Sequence, residues 1–88
     1  MSTHGHNRLP VLKQQLVCIM EQLIARSANM YTIRAEVRAY SREYPEYIIW
    51  LPELRGDQVV VDIWDRSWEM RTCVVVSASQ EIQNAPMW

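Results

Sequence analysis

The sequence predicts an α+β fold in which an N-terminal helix, or a pair of helices, packs on a small antiparallel sheet of about three strands. Apolar residues recur at helical spacing in the first half of the chain, and two valine-rich runs flank a short polar segment in the second half. These two runs predict a C-terminal β-hairpin around which the sheet is built. A chain of 88 residues has room for one domain. We expect that domain at residues 9–80, between a flexible N-terminal tail at 1–8 and a C-terminal tail at 81–88.

Residues 11–26 form the first predicted helix. Pro10 suits the first turn, where its missing N–H leaves no hydrogen bond unmade. One helical face carries leucine or isoleucine at positions 12, 16, 19 and 23, and further apolar residues widen this surface beyond a single stripe. A helix that is apolar over so much of its circumference is covered on more than one side. That cover comes either from a central position in the core or from a homodimer interface at Val17, Met20 and Ile24.

Residues 31–44 fit either a helix or a strand. Apolar and polar residues alternate over the first part of this segment, which fits a half-buried strand. Four residues also fall at helical spacing: Ile33, Val37, Tyr40 and Tyr44. The residues between them are good helix formers, Thr32 can cap the start and Pro45 ends the run. A helix is the favoured interpretation, with a break at residues 27–29 before it.

The remainder of the chain has β character. Its segments are an apolar run at residues 47–51, a turn at 54–57, strands at 58–64 and 70–77, and a hairpin loop at 65–69. The valine triplets place apolar side chains on both faces of the two long strands. The second face of the sheet is therefore also a candidate for burial against another element.

Charge is distributed unevenly along the chain. The net charge is −1, which argues against a general nucleic-acid binder. Residues 1–42 contain six basic and two acidic residues, a balance of +4, whereas residues 43–88 contain three basic and eight acidic residues, a balance of −5. Such asymmetry indicates an interaction surface, unless the two halves neutralise one another within the fold.

The predicted compartment is the cytoplasm. No apolar run approaches the roughly 18 residues that a membrane span needs. The first residues lack the basic start and hydrophobic block of a secretory signal. Cys18 and Cys73, one in each half, are interpreted as buried free thiols in a reducing compartment.

Residues suited to catalysis or metal binding are sparse. Both histidines lie in the predicted N-terminal tail, and the sequence has neither a glycine-rich phosphate loop nor zinc-site spacing. Asp62, Asp65 and Glu69 surround the hairpin tip, where grouped acids can hold a divalent ion or transfer protons. Because loop acids are usually solvated, we expect them to pair with Arg66 and Arg71 instead. No catalytic residue, metal or other cofactor is predicted.

Three arginines form the strongest functional feature. On a helix, Arg34, Arg38 and Arg42 lie one turn apart along a single line, with no acid one turn away to neutralise them. Such a row is tolerated more easily when an acidic partner or a phosphate backbone meets it. The alternative is that acids of the same chain, namely Glu53, Asp57 or the hairpin acids, pair with the row inside the fold.

Aromatic residues supply further contact candidates. The chain has four Tyr and four Trp but no Phe, and Tyr, Trp and Arg dominate the hot spots of protein interfaces. The predicted partner contacts are Tyr40 and Tyr44, close to the arginine row, together with Arg66 and Trp68 at the hairpin tip. Trp50 and Trp64 are predicted to build the core.

These features favour a small non-catalytic protein-binding module, an adaptor or inhibitor that acts as a homodimer by occupying a partner's surface. Phage and other mobile elements encode many proteins of this size and kind. The alternative is a nucleic-acid-binding protein of reduced winged-helix type, with the arginine row on phosphates and the hairpin as the wing. The acidic hairpin argues against this alternative, because a wing that contacts nucleic acid is basic.

Overall fold

The computed structural model describes residues 8–84, which form three helices and four strands. In chain order these are α1 (Leu9–Ala25), α2 (Met30–Ser41), β1 (Tyr47–Ile49), β2 (Glu53–Arg55), β3 (Gln58–Asp65), β4 (Met70–Ser77) and α3 (Gln80–Asn84). The α+β fold class predicted from the sequence is therefore confirmed.

Helix α1 follows the periodicity that predicted it. Proline lies in its first turn, and the buried side chains are Leu12, Leu16 and Met20. The helix ends in a Schellman motif. The amide of Ser27 donates to the carbonyl of Ile24, and the amide of Ala28 donates to the carbonyl of Leu23. Ser27 takes the left-handed conformation of this motif, with φ of 62°. The break predicted at residues 27–29 is thus confirmed.

The ambiguous segment is a helix. In α2 the buried residues are Met30, Ile33 and Val37, which lie on one helical face. The prediction that Thr32 caps this helix was wrong. Asn29 is the N-cap, and its side-chain oxygen accepts a hydrogen bond from the amide of Thr32 at 2.9 Å.

Strand β3 is the centre of an antiparallel sheet. It pairs with β4 on one side along its whole length, from Gln58 opposite Ser77 to Asp65 opposite Met70. On its other side it pairs with β1 and β2, which follow each other along the same edge. Strand β2 lies partly in residues predicted to be a turn. The turn itself is confined to Gly56 and Asp57, and Gly56 provides a positive φ of 62°.

The core lies between the helices and one face of the sheet. Helix α1 packs against β4, and α2 packs against β1. The buried residues on this face of the sheet are Val59, Val61, Ile63, Val74 and Val76. The opposite face is also partly apolar, as predicted, but no element within residues 8–84 covers it. Trp50 lies on this open face and is 46% exposed, so the prediction that it builds the core was wrong; Trp64 is half-buried there.

The chain contributes to the core beyond the hairpin. Helix α3 lies largely in the segment predicted to be a C-terminal tail, and its Ile82 is buried in the core. The amide of Ile82 donates to the Ser79 hydroxyl at 3.2 Å, which begins this helix. The rest of the two predicted tails, residues 1–7 and 85–88, lies outside the described residues.

Both cysteines are exposed and free, which contradicts the prediction of buried thiols. Cys18 lies on α1 away from its buried stripe, and Cys73 lies opposite Asp62 on the open face of the sheet. Within residues 8–84, no helix is long and apolar enough to cross a membrane.

Candidate functional site

The three arginines of the predicted row line a groove on the outer side of α2. The groove has a volume of about 520 Å³. Its lining consists of Tyr31, Arg34, Ala35, Arg38, Ala39, Arg42 and Leu51. We call this surface the arginine groove.

The groove exists because α2 buries the face that carries Met30, Ile33 and Val37. The arginine row lies outside this buried face, and the small side chains of Ala35 and Ala39 leave open space beside it. The wall opposite the helix comes from Leu51, in the connection between β1 and β2. Tyr31 and Leu51 are 77% and 47% exposed, so the groove presents apolar surface beside its charges.

The arginines of the groove form no ion pair with any acid in residues 8–84. Within the described residues the Arg34 side chain makes one hydrogen bond, in which its Nε donates to the carbonyl of Pro52 at 3.0 Å. Arg38 and Arg42 are exposed. The row therefore keeps its positive charge at the surface.

Two of the acids that were candidates for neutralising the row, Glu53 and the hairpin acid Asp62, bind other arginines, and Asp57 forms no ion pair within residues 8–84. The Nη2 atom of Arg55 lies 3.1 Å from Oε1 of Glu53 and 3.1 Å from Oδ2 of Asp62. The Nη2 atom of Arg71 lies 3.6 Å from the same oxygen of Asp62. These contacts raise the pKa of Arg55, chiefly through its hydrogen bond to Glu53. The ion-pair network lies on the open face of the sheet, where the Arg71 guanidinium also lies 5.7 Å from the centre of the Trp50 ring.

Helix geometry accounts for part of the row. Arg38 lies in the last turn of α2, and Arg42 is its C-cap. Cations near a helix C-terminus are stabilised by the helix dipole, typically by about 0.3–1 kcal/mol each. This effect does not explain Arg34, which lies near the middle of the helix.

Tyr40 and Tyr44, both predicted to contact a partner, take part in a cluster inside the chain. The Tyr40 hydroxyl donates to the Tyr44 hydroxyl at 3.0 Å, and the Arg8 guanidinium lies 4.3 Å from the centre of the Tyr44 ring. Burial, followed by this hydrogen bond, raises the pKa of Tyr40 well above its usual range. Tyr44 is buried in the core, so its prediction as an exposed contact was wrong; Tyr40 is half-buried.

The same cluster contains an ion pair. Arg8 binds Glu46 with two hydrogen bonds, one of them from Nη2 to Oε1 at 2.8 Å. The pair lowers the pKa of Glu46, first through the hydrogen bond from Arg8. Arg8 thus ties the start of α1 to the segment that precedes β1.

The hairpin tip presents Arg66 and Trp68 to solvent, and Trp68 is 63% exposed. Asp65 shapes the loop, because its Oδ1 accepts hydrogen bonds from the amides of Ser67 at 2.9 Å and Trp68 at 3.2 Å. Asp65 is buried, whereas the sequence had placed it among the solvated acids. No group of three or more potential metal-ligating residues occurs in the described part of the chain.

Two of the three residues predicted for a dimer interface remain accessible. Met20 is fully buried in the core of its own chain, so its assignment to an interface was wrong. Val17 and Ile24 are partly buried on the side of α1 and keep some exposed surface.

Sequence reasoning missed Tyr31 and Leu51 as residues of the groove. Tyr31 could have been found, because it lies seven residues before Arg38 and therefore on the same side of the helix. Leu51 carries no such signal, because it reaches the groove only through the packing of α2 on β1.

Comparisons of the chain with protein-family models, with curated proteins and with solved structures found no match.

Proposed function

We propose that the chain is a non-catalytic protein-binding module, an adaptor or inhibitor that occupies an acidic surface of a partner protein with its arginine groove. One observation carries the proposal: three arginines line one groove and have no acidic partner in residues 8–84. Three of the five other arginines offer a contrast, since Arg8, Arg55 and Arg71 bind acids of their own chain. Arg26 and Arg66 are exposed and form no ion pair within residues 8–84, but neither lies in the groove.

The spacing of the arginine row indicates how acidic side chains would be arranged on the partner's surface. Residues four apart on a helix lie about 5–6 Å from each other, measured between Cβ atoms. Carboxylates on a partner helix repeat at the same interval when they are four residues apart. Each guanidinium can bind a carboxylate through two parallel hydrogen bonds. The expected partner is thus a protein that presents two or three Asp or Glu side chains along one face of a helix.

Apolar residues beside the arginines would add to the contact with a partner. Tyr31 and Leu51 flank the arginines and lose exposed surface when a partner fills the groove. Interface hot spots are enriched in Tyr and Arg, surrounded by residues that exclude water. Arg66 and Trp68 form a second exposed pair of this type, at the hairpin tip, and we assign them a secondary contact.

A nucleic acid is the alternative partner, because phosphates would also bind the arginine row. The charge of the hairpin tip argues against a nucleic acid. Segment 65–71, which would be the tip of a wing, contains two acids and two arginines and has no net charge. A wing that lies on a phosphate backbone needs basic residues.

Homodimerisation through the side of α1 that carries Val17 and Ile24 remains part of the proposal. The cytoplasm remains the proposed compartment, because two exposed thiols that are not joined persist in a reducing environment.

The test is affinity capture from the native host with the full chain, compared between wild type and two charge-reversal variants. Arg38→Glu changes the centre of the groove. Arg26→Glu is the matched control, since Arg26 is also exposed and lies at a helix C-terminus, but not in the groove. Gel shifts with duplex DNA and with RNA at two salt concentrations accompany the capture.

Capture of an acidic protein by wild type and Arg26→Glu, with loss of that protein in Arg38→Glu, is the expected result. Salt-sensitive DNA or RNA binding that Arg38→Glu abolishes would transfer the proposal to the nucleic-acid alternative. Equal capture by all three forms, or capture of nothing but the chain itself, would overturn the role of the groove.

A further inference from the structure

We infer that a second copy of this chain pairs antiparallel with the outer edge of β4, so that the two sheets become one. This inference rests on the proposed homodimer and specifies its interface. It is independent of the arginine groove.

The outer edge of β4 is the long open edge of the sheet. Strand β4 has eight residues and pairs with β3 alone; no other strand in residues 8–84 lies beside it. Its outward amide and carbonyl groups therefore have no strand to pair with. An edge of this kind is a template for another strand.

The two edges of the sheet differ in their protection against such pairing. On the opposite edge, β1 and β2 have three residues each, and Pro52 lies between them. Short strands and proline are common devices against edge pairing. Strand β4 has no proline, no lysine and no bulge, because its register with β3 advances without a break from Met70 to Ser77. The protected edge and the open one indicate that only β4 is suited to pair.

In a twofold-symmetric pair of β4 strands, the equivalent faces of the two sheets lie on the same side of the joined sheet. Thr72, Val74 and Val76 face the helices, so a pairing in which Val74 lies opposite its own counterpart aligns this set with itself. In this register Arg71 lies opposite Ser77 of the second copy. The two Arg71 side chains are then six residues apart along the strands, about 20 Å, and do not repel each other strongly.

Helix α1 adds a second contact along the same edge. It packs on β4, and the Lys13 Nζ donates to the Thr72 hydroxyl at 3.3 Å. Val17 and Ile24 lie four and eleven residues after Lys13, which places them on the same side of the helix. Pairing of two β4 strands would bring these sides of the two α1 helices together and cover the partly exposed Val17 and Ile24.

The inference is tested by sedimentation velocity of the full chain over a range of concentrations. Val75→Lys places a charge in the middle of β4 on the open face, where Val75 is 43% exposed. Ile48→Lys is the matched control, because Ile48 lies on the same face but on β1, and is 36% exposed. We expect a wild-type dimer, a dissociation constant raised about tenfold or more by Val75→Lys, and little change with Ile48→Lys.

A wild-type chain that stays monomeric at about 1 mM would overturn both the homodimer and its assignment to β4. A dimer that Val75→Lys leaves intact, or that both variants weaken equally, would overturn the assignment alone. If circular dichroism shows that Val75→Lys does not fold, cross-linking of the Cys18→Ser chain tests the β4 interface instead, because Cys73 is then the remaining cysteine. A short bis-maleimide should then join two copies through Cys73, and the absence of cross-linking in a dimer would refute pairing at this edge.

Discussion

Charge reversal at Arg38 tests whether the arginine row serves binding or the fold. Arg38 lies one helical turn from Arg34 and one turn from Arg42. Like charges at this spacing destabilise a helix by about 0.2–0.5 kcal/mol per pair, and opposite charges stabilise it by a similar amount. Arg38→Glu turns two repulsions into two attractions, so this effect stabilises α2 by about 0.8–2 kcal/mol.

The helix dipole acts in the opposite direction. Arg38 lies in the last turn of α2, where a cation stabilises by about 0.3–1 kcal/mol and an anion destabilises by a similar amount. Reversal therefore costs about 0.6–2 kcal/mol from this source. The two effects nearly cancel. We expect the free energy of unfolding to change by less than about 1 kcal/mol, since the Arg38 side chain forms no ion pair within residues 8–84 that the substitution could break.

The assay is urea unfolding followed by far-UV circular dichroism at pH 7 and low salt. Arg38→Gln is the control, because it removes the repulsion and the dipole interaction together and should also be close to neutral. A loss of more than about 2 kcal/mol in Arg38→Glu would refute the reasoning, because a loss of that size needs a broken internal contact. The row would then serve the fold, and the argument for an acidic partner would fail.

Three further predictions concern residues outside the groove. Glu46→Gln should lower the free energy of unfolding by about 0.2–1 kcal/mol at pH 7, because it removes a partly exposed ion pair with Arg8. Since Arg8 lowers the pKa of Glu46 in the folded chain, this stabilisation is complete above the ordinary value of 4.5 and is lost as pH falls through the lowered value. Asp65→Ala should lower the free energy of unfolding by about 1–3 kcal/mol, because two loop amides lose their acceptor. Cys18 and Cys73 should both react with an aromatic disulfide reagent in the native state, because both thiols are exposed.

Each of these has its own control. For Glu46, urea unfolding is repeated at several pH values; a difference between Gln and wild type that does not diminish as pH falls below 4.5 would contradict the ion-pair account. For Asp65, the Asn variant keeps one side-chain oxygen acceptor and should lose less stability than Ala. Equal losses in the two variants would show that the loop amides do not depend on this acceptor. For the thiols, single Cys→Ser variants separate the two reactions, and a thiol that reacts only in urea would disprove its exposure.

Local patterns predicted most of the secondary structure correctly. The spacing of Leu12 and Leu16 identified α1, and that of Ile33 and Val37 favoured a helix over a strand for α2. These patterns succeed because the residues that share a helical face are close in sequence. Strand β2 was missed because its three residues carry no strand pattern of their own and are held only by pairing with β3. Ile82 was missed because a single apolar residue in a short segment has no periodicity to detect.

Burial of individual side chains was harder to predict. Trp50 and Cys73 were expected in the core because of their residue types, yet both lie on the open face of the sheet. Asp65 was expected in solvent because it is charged, yet it is buried under its own loop. In each case the face of the sheet or the path of the loop decides the exposure, and residue type does not.

For the candidate site, the sequence by itself determined the arginine row. Arg34, Arg38 and Arg42 align on any α-helix, because this arrangement depends only on the helical repeat. Tertiary structure alone decided that the row lines a groove and keeps its charge. Leu51 closes the groove from a different element, and Glu53 binds Arg55 instead of the row. The groove, and the lack of an acid beside the row within residues 8–84, depend on which segments meet in space, and that is set by the packing of α2 on the sheet.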